Sequence, residues 1–196
     1  MSLKKIAILF SGEGSNLENI IKKLHQKTFK NLSIEVVLTL TNNPNAKGIQ
    51  RAKKYALDPV IVDHTLYKTR EEFDKELVKI IKRYHVDLVV LAGFMRILTP
   101  IFTKSIKAIN IHPSLLPNFK GANAIQRSFN SSIKQAGVSV HFVNEKVDDG
   151  EIILQSSFDK DGLDYQAFCT KIHQIEYDIF PKAIIKVLKD TSNTDK

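Results

Sequence analysis

Apolar positions along the chain switch repeatedly between the two spacings that mark strands and helices. KKIAILF at 4–10 is a short apolar run that predicts a buried strand. SGEGSN follows, and then Leu17, Ile20, Ile21 and Leu24 recur at helical spacing. Ser15 with Glu18 three residues on reads as a capping box that starts this helix near Asn16. SIEVVLTLT at 33–41 predicts a second strand, closed by Asn42-Asn43-Pro44. A short helix is expected over 46–56 and a third strand at 59–62. Phe73, Leu77, Ile80, Ile81 and Tyr84 outline an amphipathic helix. DLVVLAG at 87–93 is apolar nearly throughout, as a strand buried on both faces must be. A short helix is expected after Pro100 and a fifth strand at 108–111.

This alternation predicts an α/β fold with a doubly wound, mostly parallel, Rossmann-like sheet. The pattern then changes. GVSVHFV at 137–143 and EIILQSSF at 151–158 are strands separated only by NEKVDDG, which predicts an antiparallel extension with a functional loop. A long final helix carries Phe168, Ile172, Ile175, Ile179, Ile184, Val187 and Leu188, and Pro181 is expected to kink or divide it. Residues 1–190 read as one domain, and 191–196 as a polar tail.

Composition narrows the class. The chain has 196 residues and no apolar run long enough to cross a membrane. The single cysteine, Cys169, allows no internal disulfide, so a cytoplasmic setting is the expectation. The net charge of +8 favours anionic partners, and the lysines are scattered, which favours small anionic ligands over nucleic acid. The six histidines form no His-x-x-x-His pair and the cysteine has no partner, so no metal is expected. There is no Gly-x-Ser-x-Gly elbow for a serine hydrolase.

In open α/β sheets, ligands bind beyond the carboxyl ends of the strands. SGEGSN, GFMRIL and NIHPS all reach that edge. SGEGSN is a glycine-rich turn into a helix N-terminus, which suits an anion. Leu17 stands where a dinucleotide motif has its third glycine, and no Gly-Lys-Ser/Thr follows, so a monophosphate fits better than a dinucleotide or ATP. Asn110 and His112 alternate, so their side chains project from one face of a strand end. Asp148, in VDDGEI, is the candidate carboxylate to orient His112 and favour its imidazolium form. With Asn110 as an amide donor to an oxyanion, the trio suits acyl-type transfer to an amine without a covalent enzyme intermediate.

SGEGSN, LAGFMRIL, NIHPSLLP, SVHFV and VDDGEIILQ occur in this order in a known family. The chain resembles the formyl-tetrahydrofolate-dependent formyltransferases, and among them the glycinamide ribonucleotide formyltransferases of purine biosynthesis, from about residue 4 to 188. The resemblance implies transfer of a formyl group from 10-formyl-tetrahydrofolate, a co-substrate, to the amine of glycinamide ribonucleotide. It implies small-molecule partners only, no nucleic acid and no membrane, and a monomer or homodimer. Asn110, His112 and Asp148 match the catalytic trio of the family. Gly14, Ser15 and Asn16 match its phosphate seat, and His173, Gln174, Ile175 and Glu176 the helix segment against the ribonucleotide. On the folate side stand Arg70, Met95, Arg96, Ile97, Leu98, Asn110, His141, Asn144, Glu145, Lys146, Val147 and Asp148. Residues 1–107 then form the phosphate- and nucleotide-binding half and 108–190 the catalytic and folate-binding half.

KGANAIQR at 120–127 departs from the pattern and looks more like the same stretch of the methionyl-tRNA enzyme. The alternatives are therefore another acceptor, methionyl-tRNA or an amino sugar, or hydrolysis of the formyl-folate. The tRNA enzyme carries a further C-terminal domain and the hydrolase an N-terminal one, and neither is expected here.

Overall fold

The computed structural model of the chain describes residues 2–193. One eight-stranded sheet runs through it, with strand order β2-β3-β1-β5-β6-β7-β8 and β4 paired to β3. The parallel part comprises β1 (Ser2–Phe10), β3 (Leu32–Thr41), β4 (Val60–Ile61), β5 (Leu88–Leu91) and β6 (Ala108–His112). β7 (Gln135–Phe142) runs antiparallel to β6, and β8 (Ile152–Asp159) antiparallel to β7, as the close spacing of these two strands requires. β2 (Lys27–Phe29) pairs antiparallel with β3; its three residues are too few to carry an alternating pattern, and the sequence did not announce it.

Alternation along β1 sends its side chains to two cores. Ile6, Ile8 and Phe10 join the layer under α1 (Ser15–Leu24) and α6 (Tyr165–Asn193), while Ala7 and Leu9 join the layer under α3 (Arg70–Arg83). α2 (Gly48–Lys53), α4 (Pro100–Thr103) and α5 (Ala124–Asn130) complete the helices, with a 3-10 turn at His64–Leu66. No described helix is long and apolar enough to cross a membrane.

Two local expectations fail. The capping box at Ser15 does not form: Gly14, at φ 73° and in the left-handed region, is the N-cap, and it has no side chain to cap with. Glu18 turns instead to Arg51 and Lys22. Pro181 does not divide α6, which continues as one helix on both sides of it. Proline removes one helical hydrogen bond, and burial of Phe180, Pro181, Ala183 and Ile184 against the sheet offsets that loss. Of the tail at 191–196, residues 191–193 continue α6 and 194–196 lie outside the described residues.

Candidate active site

The carboxyl ends of β1, β5 and β6 are neighbours along one edge. Leu9 pairs with Leu91, and Leu91 with Asn110. At roughly 4.8 Å between strands, the end of β6 lies about 10 Å across the sheet from that of β1. Asn110 and His112 stand at this edge on one face, and Asn110 pairs across to His141 of the antiparallel β7. The site therefore forms where the sheet changes from parallel to antiparallel.

The loop between β7 and β8 returns over this edge and carries Asp148, a non-glycine residue at φ 51°. Gly150 permits the return. A Cβ there would stand 1.7 Å from the Phe142 carbonyl oxygen, so only glycine passes. The Phe142 N–H donates to the Glu151 carbonyl at 2.9 Å and pins the far side of the loop.

Asp148 is the hub of the cluster. Its Oδ2 accepts from the Gly121 N–H at 2.8 Å and lies 3.2 Å from His112 Nδ1. Its Oδ1 accepts from Asn110 Nδ2 at 3.3 Å and lies 3.5 Å from His141 Nε2. Burial alone would raise this carboxyl, but the contact with His141, the Gly121 N–H and the charge of His112 outweigh it and hold Asp148 below the usual carboxylate range. Burial pushes His112 below the ordinary imidazole value, and the Asp148 carboxylate pulls the other way. His112 Nε2 meets the Phe119 carbonyl at 2.9 Å. Each ring nitrogen thus faces an oxygen, so a proton on both is the state that satisfies both neighbours. Burial works against that charge and, on balance, holds the imidazole below its ordinary value.

Asn110 has an unused donor. Its Nδ2 is 3.3 Å from both His141 Nε2 and Asp148 Oδ1, and those two atoms are 3.5 Å apart. The near-equilateral triangle puts both acceptors within about 60° of each other, on one side of an amide whose two N–H bonds diverge by about 120°. The other N–H is left to a third acceptor.

SGEGSN gives the second part of the site. The first-turn N–H groups of α1 have no intrahelical partner. Gly14 packs against Gly48, which donates to the Gly12 carbonyl at 3.0 Å; a Cβ on Gly14 would come 2.5 Å from Gly48 Cα. Asn16 is buried and its Nδ2 donates to Glu176 Oε2 at 3.2 Å. His173 Nδ1 lies 2.9 Å from the same oxygen, and this contact raises the His173 imidazole above its ordinary value. Glu176 is thus buried between α6 and the turn. Gln174 is exposed, and Ile175 packs against the core.

Met95 and Ile97 stand 77% and 55% exposed on the loop after β5, with Arg96 half-buried, while Leu98 turns into the core. Asn144, Glu145, Lys146 and Val147 are exposed on the Asp148 loop. Arg70 opens α3, exposed, and its charge reaches Asp74. The sequence did not single out the Phe119 carbonyl, the Gly121 N–H or Gly150. These are backbone groups and a close approach, which leave no periodic signal. Among the described residues, no group of three or more His, Cys, Asp or Glu is arranged to hold a metal ion.

A doubly wound sheet whose edge carries a buried imidazole–carboxylate pair, an amide donor and a helix N-terminus defines an α/β acyl-transfer enzyme. The particular family follows from comparison: the formyl transferase family model matches residues 4–184, and the chain belongs to that family. A crystal structure of phosphoribosylglycinamide formyltransferase from Campylobacter jejuni superposes with a TM-score of 0.94 at 57% identity, covering 95% of this chain and 98% of that one. Phosphoribosylglycinamide formyltransferase of Haemophilus influenzae is 37% identical over 187 residues, which is 93% of this chain and 86% of the relative. The trifunctional purine biosynthetic protein adenosine-3 of Gallus gallus is 38% identical over 183 residues. The chain spans 92% of itself but only 18% of that relative's length in this match.

Proposed function

We propose that the chain transfers the formyl group of 10-formyl-tetrahydrofolate to the amine of glycinamide ribonucleotide, a step of purine biosynthesis in the cytoplasm. The observation that carries the reading is the His112–Asp148 pair, at 3.2 Å, beside Asn110 on the strand edge. The relatives' names supply the acceptor and the transferred formyl group, and the family resemblance supplies the donor.

The phosphate of the ribonucleotide is held by the N–H groups at Gly14, Ser15 and Asn16, where the helix dipole favours negative charge. His173 and Glu176 stand beside this seat through Asn16. The apolar faces of Met95 and Ile97 on one side and Val147 on the other suit the flat pterin of the folate. Arg70, Arg96 and Lys146 are cations for its carboxylates.

The neutral amine attacks the formyl carbon and a tetrahedral oxyanion forms. Asn110 directs its free N–H at that oxygen. His112 holds a proton on each ring nitrogen as the charge develops. In the resting site the proton on Nε2 rests against the Phe119 carbonyl and must leave that oxygen to reach the reacting atoms, while Asp148 keeps the ring aimed. The attacking nitrogen loses a proton as the folate nitrogen leaves with one, and His112 passes it between them. One oxyanion donor of this kind lowers a barrier by about 3–4 kcal/mol, and alignment of the two substrates supplies much of the rest.

The test mixes protein, 10-formyl-tetrahydrofolate and glycinamide ribonucleotide and follows folate product by absorbance. Asn110→Ala, His112→Ala and Asp148→Ala are each expected to lose at least ~10²-fold in kcat with the fold intact. A folded His112→Ala protein with near-normal turnover removes His112 from the chemistry. Turnover with methionyl-tRNA at a comparable rate moves the acceptor to that class.

A further inference from the structure

Ser11 follows directly after β1, the strand that lies between β3 and β5, and all of its polar groups are used. Its N–H donates to the Gly93 carbonyl at 3.1 Å, and its carbonyl accepts from Asn43 Nδ2 at 3.1 Å. Its hydroxyl donates to Asn42 Oδ1 at 2.5 Å and accepts from the Met95 N–H at 2.7 Å. Two of these bonds go to the loop after β3 and two to the loop after β5. The residue is 8% exposed, so water is a poor substitute for any of them.

The consequence is geometric. Ser11 opens SGEGSN, so it is part of the turn that forms the anion seat. Met95 is the first of the exposed residues on the β5 loop. One hydroxyl therefore fixes the seat and the Met95–Leu98 wall relative to each other. The start of α2 braces the same turn as well, through the Gly48 N–H on the Gly12 carbonyl at 3.0 Å.

We infer that Ser11 is a positioning residue that couples the two substrate sites, so that the phosphate seat and the folate wall are held in register through its hydroxyl. The inference rests on the formyl-transfer reading for which molecules fill the two sites. The coupling of the two loops stands on the hydrogen bonds alone. Ser11 touches no reacting atom in this scheme. It sets the separation over which two bound substrates must meet, and a misplacement on the order of 1 Å is felt in such reactions.

Two measurements on Ser11→Ala decide it. In steady-state kinetics, the variant is expected to raise KM for both the ribonucleotide and the folate by about tenfold, the loss expected for one positioning hydrogen bond of about 1.4 kcal/mol. kcat falls as well, because the two bound substrates no longer meet at their resting separation, and the pH limb governed by His112 stays where it was. Asn42→Ala, which removes the acceptor of the hydroxyl together with the Asn42 Nδ2 contact to His64, shifts both KM values in the same direction and decides the kinetic arm if Ser11→Ala does not fold. A rise in one KM alone, or in neither, overturns the coupling. The second measurement is hydrogen exchange, which needs no substrate and holds even if wild-type protein fails to transfer formyl groups, a result that would count against the functional reading and not against this one. Exchange in segments 12–16 and 93–98 is expected to quicken together in the variant. Quickening confined to one segment overturns the inference.

Discussion

Replacing Gly150 with alanine tests whether the position of Asp148 controls the chemistry. The added Cβ would fall 1.7 Å from the Phe142 carbonyl oxygen and 2.7 Å from its carbon, where real contacts stay above 3.0 Å. The loop must therefore retreat by at least 1.3 Å (3.0 minus 1.7). Phe142 cannot yield in its place, because its carbonyl accepts from His141 Nδ1 and its N–H is tied to Glu151. Asp148 lies two residues before the obstruction. If the full shift reaches it, the His112 Nδ1 to Asp148 Oδ2 distance grows from 3.2 Å to about 4.5 Å, past any hydrogen bond. A displacement of about 1 Å at a catalytic group costs on the order of 10²-fold in rate, or about 2.7 kcal/mol of barrier. Overpacking of this kind costs the fold about 1–3 kcal/mol, which leaves a folded protein to assay. The assay is kcat in the formyl-transfer reaction beside a thermal melt. A Gly150→Ala protein with kcat within about threefold of wild type would refute the reasoning, because Asp148 would then be misplaced without consequence.

Four further outcomes are expected. In Asp148→Asn the opposing carboxylate is gone while burial of His112 remains, so the imidazole falls further below its ordinary value and the His112 limb of kcat/KM against pH moves to lower pH; a limb that moves to higher pH or stays put contradicts the pairing. Both the depressed Asp148 carboxyl and the depressed His112 imidazole favour the deprotonated form in the folded chain, so their stabilisation is present above the ordinary values of 3.8 and 6.5 and is lost as pH falls, which a urea series across the acid range reads directly. Lys160 Nζ donates to the carbonyls of Ser128, Phe129 and Ser131 at 2.6, 2.8 and 2.6 Å at the end of α5; Lys160→Met is expected to cost about 2 kcal/mol and lower Tm by roughly 4–8 °C, and a shift below about 1 °C would show that water caps the helix as well. Removing the phosphate of the ribonucleotide is expected to weaken binding by at least ~10-fold, and equal binding of the nucleoside by calorimetry would end the anion-seat reading.

What the sequence disclosed depended on whether a feature was periodic. β1, β3 and β5 were legible because long apolar runs between turn residues suit nothing but buried strands. β7 and β8 were legible as a pair because only seven residues, NEKVDDG, separate their two apolar runs, which leaves little room for a crossover. The closeness of Asn110, His112 and Asp148 was legible because two of them sit two residues apart on one strand and the third falls in a loop that returns to that strand. The capping box was misread for a reason of competition. Glu18 had Arg51 and Lys22 as partners from elsewhere in the fold, and a glycine supplied the turn. Pro181 was misread because its cost is local while its compensation, burial against the sheet, is not. Neither kind of long-range partner leaves a mark in a window of ten residues.

The same distinction explains why the site is built from loops and yet is rigid. Asp148, Phe119 and Asn123 all adopt the left-handed backbone region, each a conformation with a cost for a non-glycine residue. They are held there by bonds that run to other elements. Gly121 donates to Asp148, Lys120 pairs with Asp149, and Arg127 of α5 reaches back to the Phe119 carbonyl at 2.8 Å. That carbonyl also accepts His112 Nε2. One backbone oxygen is thus shared between an arginine and the imidazole, and the arginine's pull weakens its hold on the imidazole proton. In the proposed mechanism that weaker hold suits a group that must give its proton to a substrate. KGANAIQR, the stretch that departs from the family pattern, contains Arg127. The departure therefore falls on the segment that sets how readily His112 is released, while Asn110, His112 and Asp148 themselves are unchanged.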